Sequence, residues 1–116
     1  MLVLNKELIK GSTITLILNT LEKQPMYGYG MIKEIESKSN GVFLFKEGTL
    51  YPILHDLEKN KLIESFWDSE NGRRRKYYKI TKKGLRELRS RESEWELFSR
   101  TMSQVLGDQL VKVNSF

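Results

Sequence analysis

Asn71-Gly72 narrows the fold more than any other pair of residues in the chain. It sits between two strand-like runs, Leu62–Asp68 and Arg75–Thr81. Asn-Gly in that setting is a strong hairpin signal, because both residues accept the positive φ of a two-residue turn. A lone hairpin buries too little to stand in water, so it needs other elements to pack against. The flanking sequence supplies them. Upstream, three stretches repeat apolar residues at helical spacing. Downstream runs one long stretch with no proline before Gly107. At 116 residues, with 39% hydrophobic and 30% charged side chains, this suits one modest core. The predicted class is mainly α with a small β-hairpin.

The first helix is predicted from Asn5 to Lys23, with Leu8, Ile14, Ile17, Leu18 and Leu21 on its apolar face and Gln24-Pro25 ending it. Gly11 weakens its middle by about 1 kcal/mol relative to alanine, so tertiary packing must support this helix. Tyr27-Gly28-Tyr29-Gly30 reads as a turn. A short helix follows, with Met31, Ile32 and Ile35 inward, closing at Asn40-Gly41. Val42–Phe45 is an apolar connection. The third helix begins near Glu47-Gly48-Thr49 and buries Leu50, Ile53, Leu54 and Leu57. Pro52 fits it if Gly48 lies near the N-cap, because first-turn amides need no partner within the helix. Asn60 is the expected stop. Trp67 is expected to pack the hairpin base. Thr81 caps the last helix, Lys82 to Gly107. Residues 108–116 read as a tail.

Charge is concentrated on the hairpin. The net charge is +5. Between Asn71 and Lys83 lie Arg73, Arg74, Arg75, Lys76, Lys79, Lys82 and Lys83 with no acid among them. Three helices followed by a basic hairpin is the winged helix-turn-helix plan, in which the third helix enters the major groove and the hairpin reaches the adjacent backbone or minor groove. The candidate DNA-binding residues are Tyr29, Thr49, Tyr51, Pro52, His55, Arg73, Arg74, Arg75 and Lys76. Tyr51 reads either as core, beside Leu50, or as facing bases. Enzyme classes find no support: the single histidine and the absence of cysteine argue against metal or nucleophile chemistry, and no cofactor is expected. A winged helix that contacts protein instead of DNA is the competing reading. No stretch approaches the ~20 apolar residues of a membrane span, no leader pattern is apparent, and the cysteine-free composition suits the cytoplasm.

The last helix carries a second pattern. Leu88, Trp95 and Met102 recur at seven, and Phe98 and Val105 follow three residues after Trp95 and Met102. This is an a/d seam that a second subunit could cover, which predicts a homodimer. The alternative is a helix folded back on its own domain. Arg91 interrupts the seam and can snorkel or pair with a partner glutamate. The expected division is a DNA-binding domain at 1–81, a dimerisation helix at 82–107 and the tail at 108–116.

Three blocks in order, Tyr27–Ile35 (YGYGMIKEI), Glu47–Glu58 (EGTLYPILHDLE) and Gly72–Thr81 (GRRRKYYKIT), resemble the PadR family of transcriptional regulators. Asp56 departs from the family, where a basic residue is common. The resemblance implies a dimer through Leu88, Arg91, Trp95, Phe98, Met102 and Val105, repression at a pseudo-palindromic operator, and release by small ligands. The short C-terminus is similar to that of the multidrug-sensing members. That likeness implies a planar aromatic or cationic ligand at the dimer centre, held by Trp95 and Phe98 with Leu18.

Overall fold

The computed structural model describes residues 5–107. Its elements are α1 (Lys6–Lys23), β1 (Met26–Tyr27), α2 (Gly28–Lys38), α3 (Glu47–Lys59), β2 (Ile63–Glu70), β3 (Arg73–Ile80) and α4 (Lys82–Leu106). The expected tail at 108–116 lies outside the described residues.

Local chemistry sets most boundaries. The Asn5 side chain accepts the Glu7 amide at 2.8 Å and caps α1. α2 ends in a Schellman motif: the Asn40 amide donates to Ser37 and the Gly41 amide to Glu36, with both residues at positive φ. The same pair of bonds closes α3 at Lys61 and Leu62, although Lys61 takes a φ of 63° without being glycine. Asn71 and Gly72 have φ of 54° and 75°, the type I′ signature. The hairpin is longer than expected, because Arg73 and Arg74 pair with Glu70 and Ser69 as strand residues and only two residues turn.

Two expectations about α2 and α3 are corrected. Tyr27–Gly30 is not a turn. Met26 and Tyr27 add a third strand, giving the antiparallel order β1-β3-β2, and helix begins at Gly28. Two residues are too few for period-2 alternation to register. Pro52 lies in the second turn of α3, since the N-cap is Lys46 and not Gly48. The carbonyl that loses its helical donor is that of Gly48, which is exposed, so water can satisfy it.

The core joins Ile17, Leu18 and Leu21 of α1, Met31, Ile32 and Ile35 of α2, Leu50, Leu54 and Leu57 of α3, and Phe45, Leu62, Ile63, Tyr78 and Leu88. Two threonines of α1 are also buried. The Thr13 and Thr20 hydroxyls donate to the carbonyls four residues back, Ile9 and Leu16, at 2.7 Å, which removes the cost of burying them. Leu8, expected on the apolar face, is exposed. A Cβ placed on Gly11 would meet no atom within 4 Å among the described residues, and the tertiary support of α1 comes instead from its buried residues Thr13, Ile17, Leu18, Thr20 and Leu21.

The joint between the globular part and α4 is tight. Thr81 Oγ1 accepts from the Gly84 amide at 3.0 Å and donates to the Lys61 carbonyl at 2.7 Å. Lys83 Nζ donates to the Asn60 carbonyl at 3.0 Å, at the negative end of α3. Arg89 is ion-paired to Glu22 of α1. Beyond Leu88 no described residue of α4 is buried, and the helix runs out from the globular part. No helix among the described residues is long and apolar enough to cross a membrane.

Candidate nucleic-acid interface

α3 buries one side and shows the other. Gly48, Pro52, His55 and Lys59, spaced by four, three and four, run down the middle of its exposed side. Thr49 and Asp56 lie along one margin and Tyr51 along the other. Lys59 is an addition to the expected surface. Its spacing of four from His55 is the signal that finds it, although it adjoins the helix stop.

Tyr51 is neither core nor fully free. It is 41% exposed, and its ring lies against Gly28, where a Cβ would stand 2.5 Å from the hydroxyl. Partial burial, with Glu47 and Tyr78 nearby, raises its pKa above the ordinary phenol value, so it stays a neutral donor. The absence of a side chain at position 28 therefore lets the first turn of α2 approach α3.

The hairpin separates its cations by face. Register pairs Glu64 with Lys79, Asp68 with Arg75 and Glu70 with Arg73 on one side. On the other side Ile63, Ser65, Trp67 and Ser69 stand opposite Ile80, Tyr78, Lys76 and Arg74. The run that is free of acid in sequence is thus half matched by acids across the ladder. Lys79 pairs with Glu64 at 3.4 Å. Lys76 reaches Glu58 of α3 at 3.8 Å, and Glu58 also accepts the Ser65 hydroxyl. Arg75 lies 4.3 Å over the Tyr27 ring. The Tyr77 hydroxyl donates to Glu70 at 2.8 Å, and that bond holds its pKa up.

Trp67 overturns its expected role. It is 58% exposed and does not pack the hairpin base. Arg74 lies over its ring at 4.8 Å from the centroid.

Wing, α2 and α3 enclose a cleft of about 480 Å³. Tyr29 and Tyr51 line it together with Arg73, Arg74, Arg75 and Lys76. β1 reaches only Tyr77 and Tyr78 of β3, so the outer edge of residues 73–76 opens into this cleft. Six of the nine expected DNA-binding residues meet here. Thr49, Pro52 and His55 lie outside the cleft lining, on the neighbouring exposed side of α3. Glu47 is the only acid among the described residues of the lining.

The seam on α4 divides. Trp95, Phe98, Met102 and Val105 are exposed, as are Leu97 and Leu106. Trp95 and Phe98 stack with centroids 5.7 Å apart. Leu88 is corrected: it is fully buried in its own domain and cannot face a second subunit. Arg91 bonds to Glu87 of the same helix at 2.7 Å, so its charge is matched within its own chain. Leu18 is corrected as a ligand residue, because it too is fully buried in the core while Trp95 stands exposed.

Comparison with known proteins agrees with this fold. The profile of the transcriptional regulator PadR-like family matches residues 17–90. An uncharacterized protein of Lysinibacillus sphaericus is 37% identical over 90 residues, which is 77% of this chain and 83% of the relative. Among solved structures, a transcriptional regulator from Clostridium thermocellum is 34% identical with a TM-score of 0.80, over 88% of this chain and 100% of that one. A PadR-like transcriptional regulator from Bacillus cereus is 32% identical with a TM-score of 0.80, over 89% of this chain and 99% of that one. The winged-helix fold, the family profile and these neighbours lead to one identification: the chain belongs to the PadR-like family, whose members are transcriptional regulators and not enzymes.

Proposed function

We propose that this protein represses transcription by binding an inverted-repeat operator as a homodimer. The observation that carries the reading is the meeting of the Arg73–Lys76 strand edge with Tyr29 and Tyr51 in one cleft beside the exposed side of α3. Such an arrangement lets α3 occupy a major groove while the wing neutralises the flanking backbone. Thr49, Pro52 and His55 are the proposed groove-facing residues.

The exposed stripe Trp95, Phe98, Met102 and Val105 supports a two-fold partner, since an apolar stripe of this length on a free helix is unfavourable in water. A two-fold assembly would space two α3 helices one or more DNA turns apart and require an inverted repeat. A planar aromatic or cationic compound held between the Trp95 residues of the two protomers would change the angle between the α4 helices. It would release DNA to the extent that it binds the non-operator spacing better.

Selection of bound duplexes from a random pool tests the reading. An inverted repeat should emerge, and affinity should fall steeply with salt. A pool that converges on no sequence, or binding indifferent to salt, would overturn it.

A further inference from the structure

We propose that Trp67 is a positioning residue for DNA binding, holding the Arg74 guanidinium on its indole so that the wing offers a fixed and un-neutralised cation. The inference rests on the DNA-binding reading above.

Trp67 would not be expected at its position from packing alone. It is a large ring, 58% exposed, on the outer part of β2, where it seals no core. Its defined aromatic contact is cationic: the Arg74 guanidinium carbon lies 4.8 Å from the ring centroid. Register explains the contact. Trp67 stands opposite Lys76, so Arg74, two residues along β3, is its diagonal neighbour on the same face.

Lys76 and Lys79 have carboxylate partners. Arg75 also lies over a ring, that of Tyr27, but it stands opposite Asp68 in the ladder. A carboxylate orders a cation but also neutralises it, and it must be displaced when a phosphate arrives. Arg74 stands opposite Ser69, and the β2 residues on its face are Ile63, Ser65, Trp67 and Ser69, with no acid. An aromatic face attracts a guanidinium through its quadrupole while adding no counter-charge. Arg74 is therefore ordered without being quenched, which reduces the side-chain entropy lost on binding. The planar group also keeps its N–H edge free for phosphate or for a narrow minor groove.

The test uses the full chain and a mixed-sequence duplex of about 30 base pairs, titrated at several salt concentrations. Variants are Trp67→Ala, Trp67→Leu, Trp67→Phe, Arg74→Ala and the double Trp67→Ala/Arg74→Ala. Removing the π face should weaken binding about three- to thirtyfold, equally for alanine and leucine, and leucine keeps an apolar residue in the strand should alanine disturb it. Phenylalanine should restore most of the affinity. The double variant should bind no more weakly than Arg74→Ala, because the indole acts through that arginine. Arg74→Ala should also lower the salt slope by roughly one. Wild-type affinity in both Trp67→Ala and Trp67→Leu would overturn the proposal. So would losses that multiply in the double variant, since Trp67 would then contact DNA on its own account. A wild-type protein that binds no duplex would instead overturn the DNA-binding reading beneath it.

Discussion

Two helical glycines should respond to alanine in opposite directions. Gly→Ala inside a helix gains about 1 kcal/mol from propensity. At Gly11 a Cβ meets nothing within 4 Å among the described residues, so the whole gain should appear. At Gly84 a Cβ would fall inside the contact radius of the Leu62 carbonyl oxygen and 2.7 Å from Ile80 Cγ1. The carbonyl is backbone and also accepts the Thr81 amide and hydroxyl, so it cannot rotate away. α4 must retreat instead, which strains the Thr81 cap of the same turn. Overpacking costs about 1–3 kcal/mol and a lost cap about 1. After the propensity gain, the net loss is about 1–3 kcal/mol. Urea melts followed by circular dichroism, at one protein concentration so that assembly does not enter, should show Gly84→Ala shifted down and Gly11→Ala up. A Gly84→Ala protein as stable as wild type would refute the claim that close backbone contact fixes this joint. Because the joint sets the direction of α4, Gly84→Ala should also reduce operator affinity where protein remains folded.

On α3, Tyr51→Phe should leave base preference unchanged, since its hydroxyl faces Gly28. His55→Ala should cost about 1–3 kcal/mol and relax one base position in a competition assay. Replacing Met102 by glutamate should convert a species of about twice the 13.7 kDa chain mass into monomer in sedimentation, because a carboxylate is costly on a buried seam. A planar cationic dye should quench Trp95 saturably in a Trp67→Phe background, and linear quenching would count against a pocket there. Burial raises the pKa of Tyr51 and Tyr78, so the folded chain retains protons that the unfolded chain releases. Their contribution to stability should be complete below about pH 10 and decline as pH rises above it, read as an alkaline shift in the urea midpoint.

Features that depend only on neighbours along the chain were legible in the sequence. Asn71-Gly72 specified the turn, Thr81 the cap, and the repeats at Leu50, Leu54 and Leu57 the buried side of α3. Each follows from the φ, the hydrogen bond or the 3.6-residue period of a single element. The basic wing and the apolar stripe of α4 were legible for the same reason. Features that depend on which elements meet came from packing. Met26 and Tyr27 became a strand only because the β3 edge was there to pair with them. Leu88, in step with Trp95 along the helix, belongs to the core, because α1 and β3 cover only the first turns of α4 and leave the rest bare. The cations at 73–79 look equivalent in a row, yet strand register set acids opposite three of them and Trp67 beside Arg74. Pairing across a ladder is fixed by the turn and the core together, and a linear list of charges does not contain it.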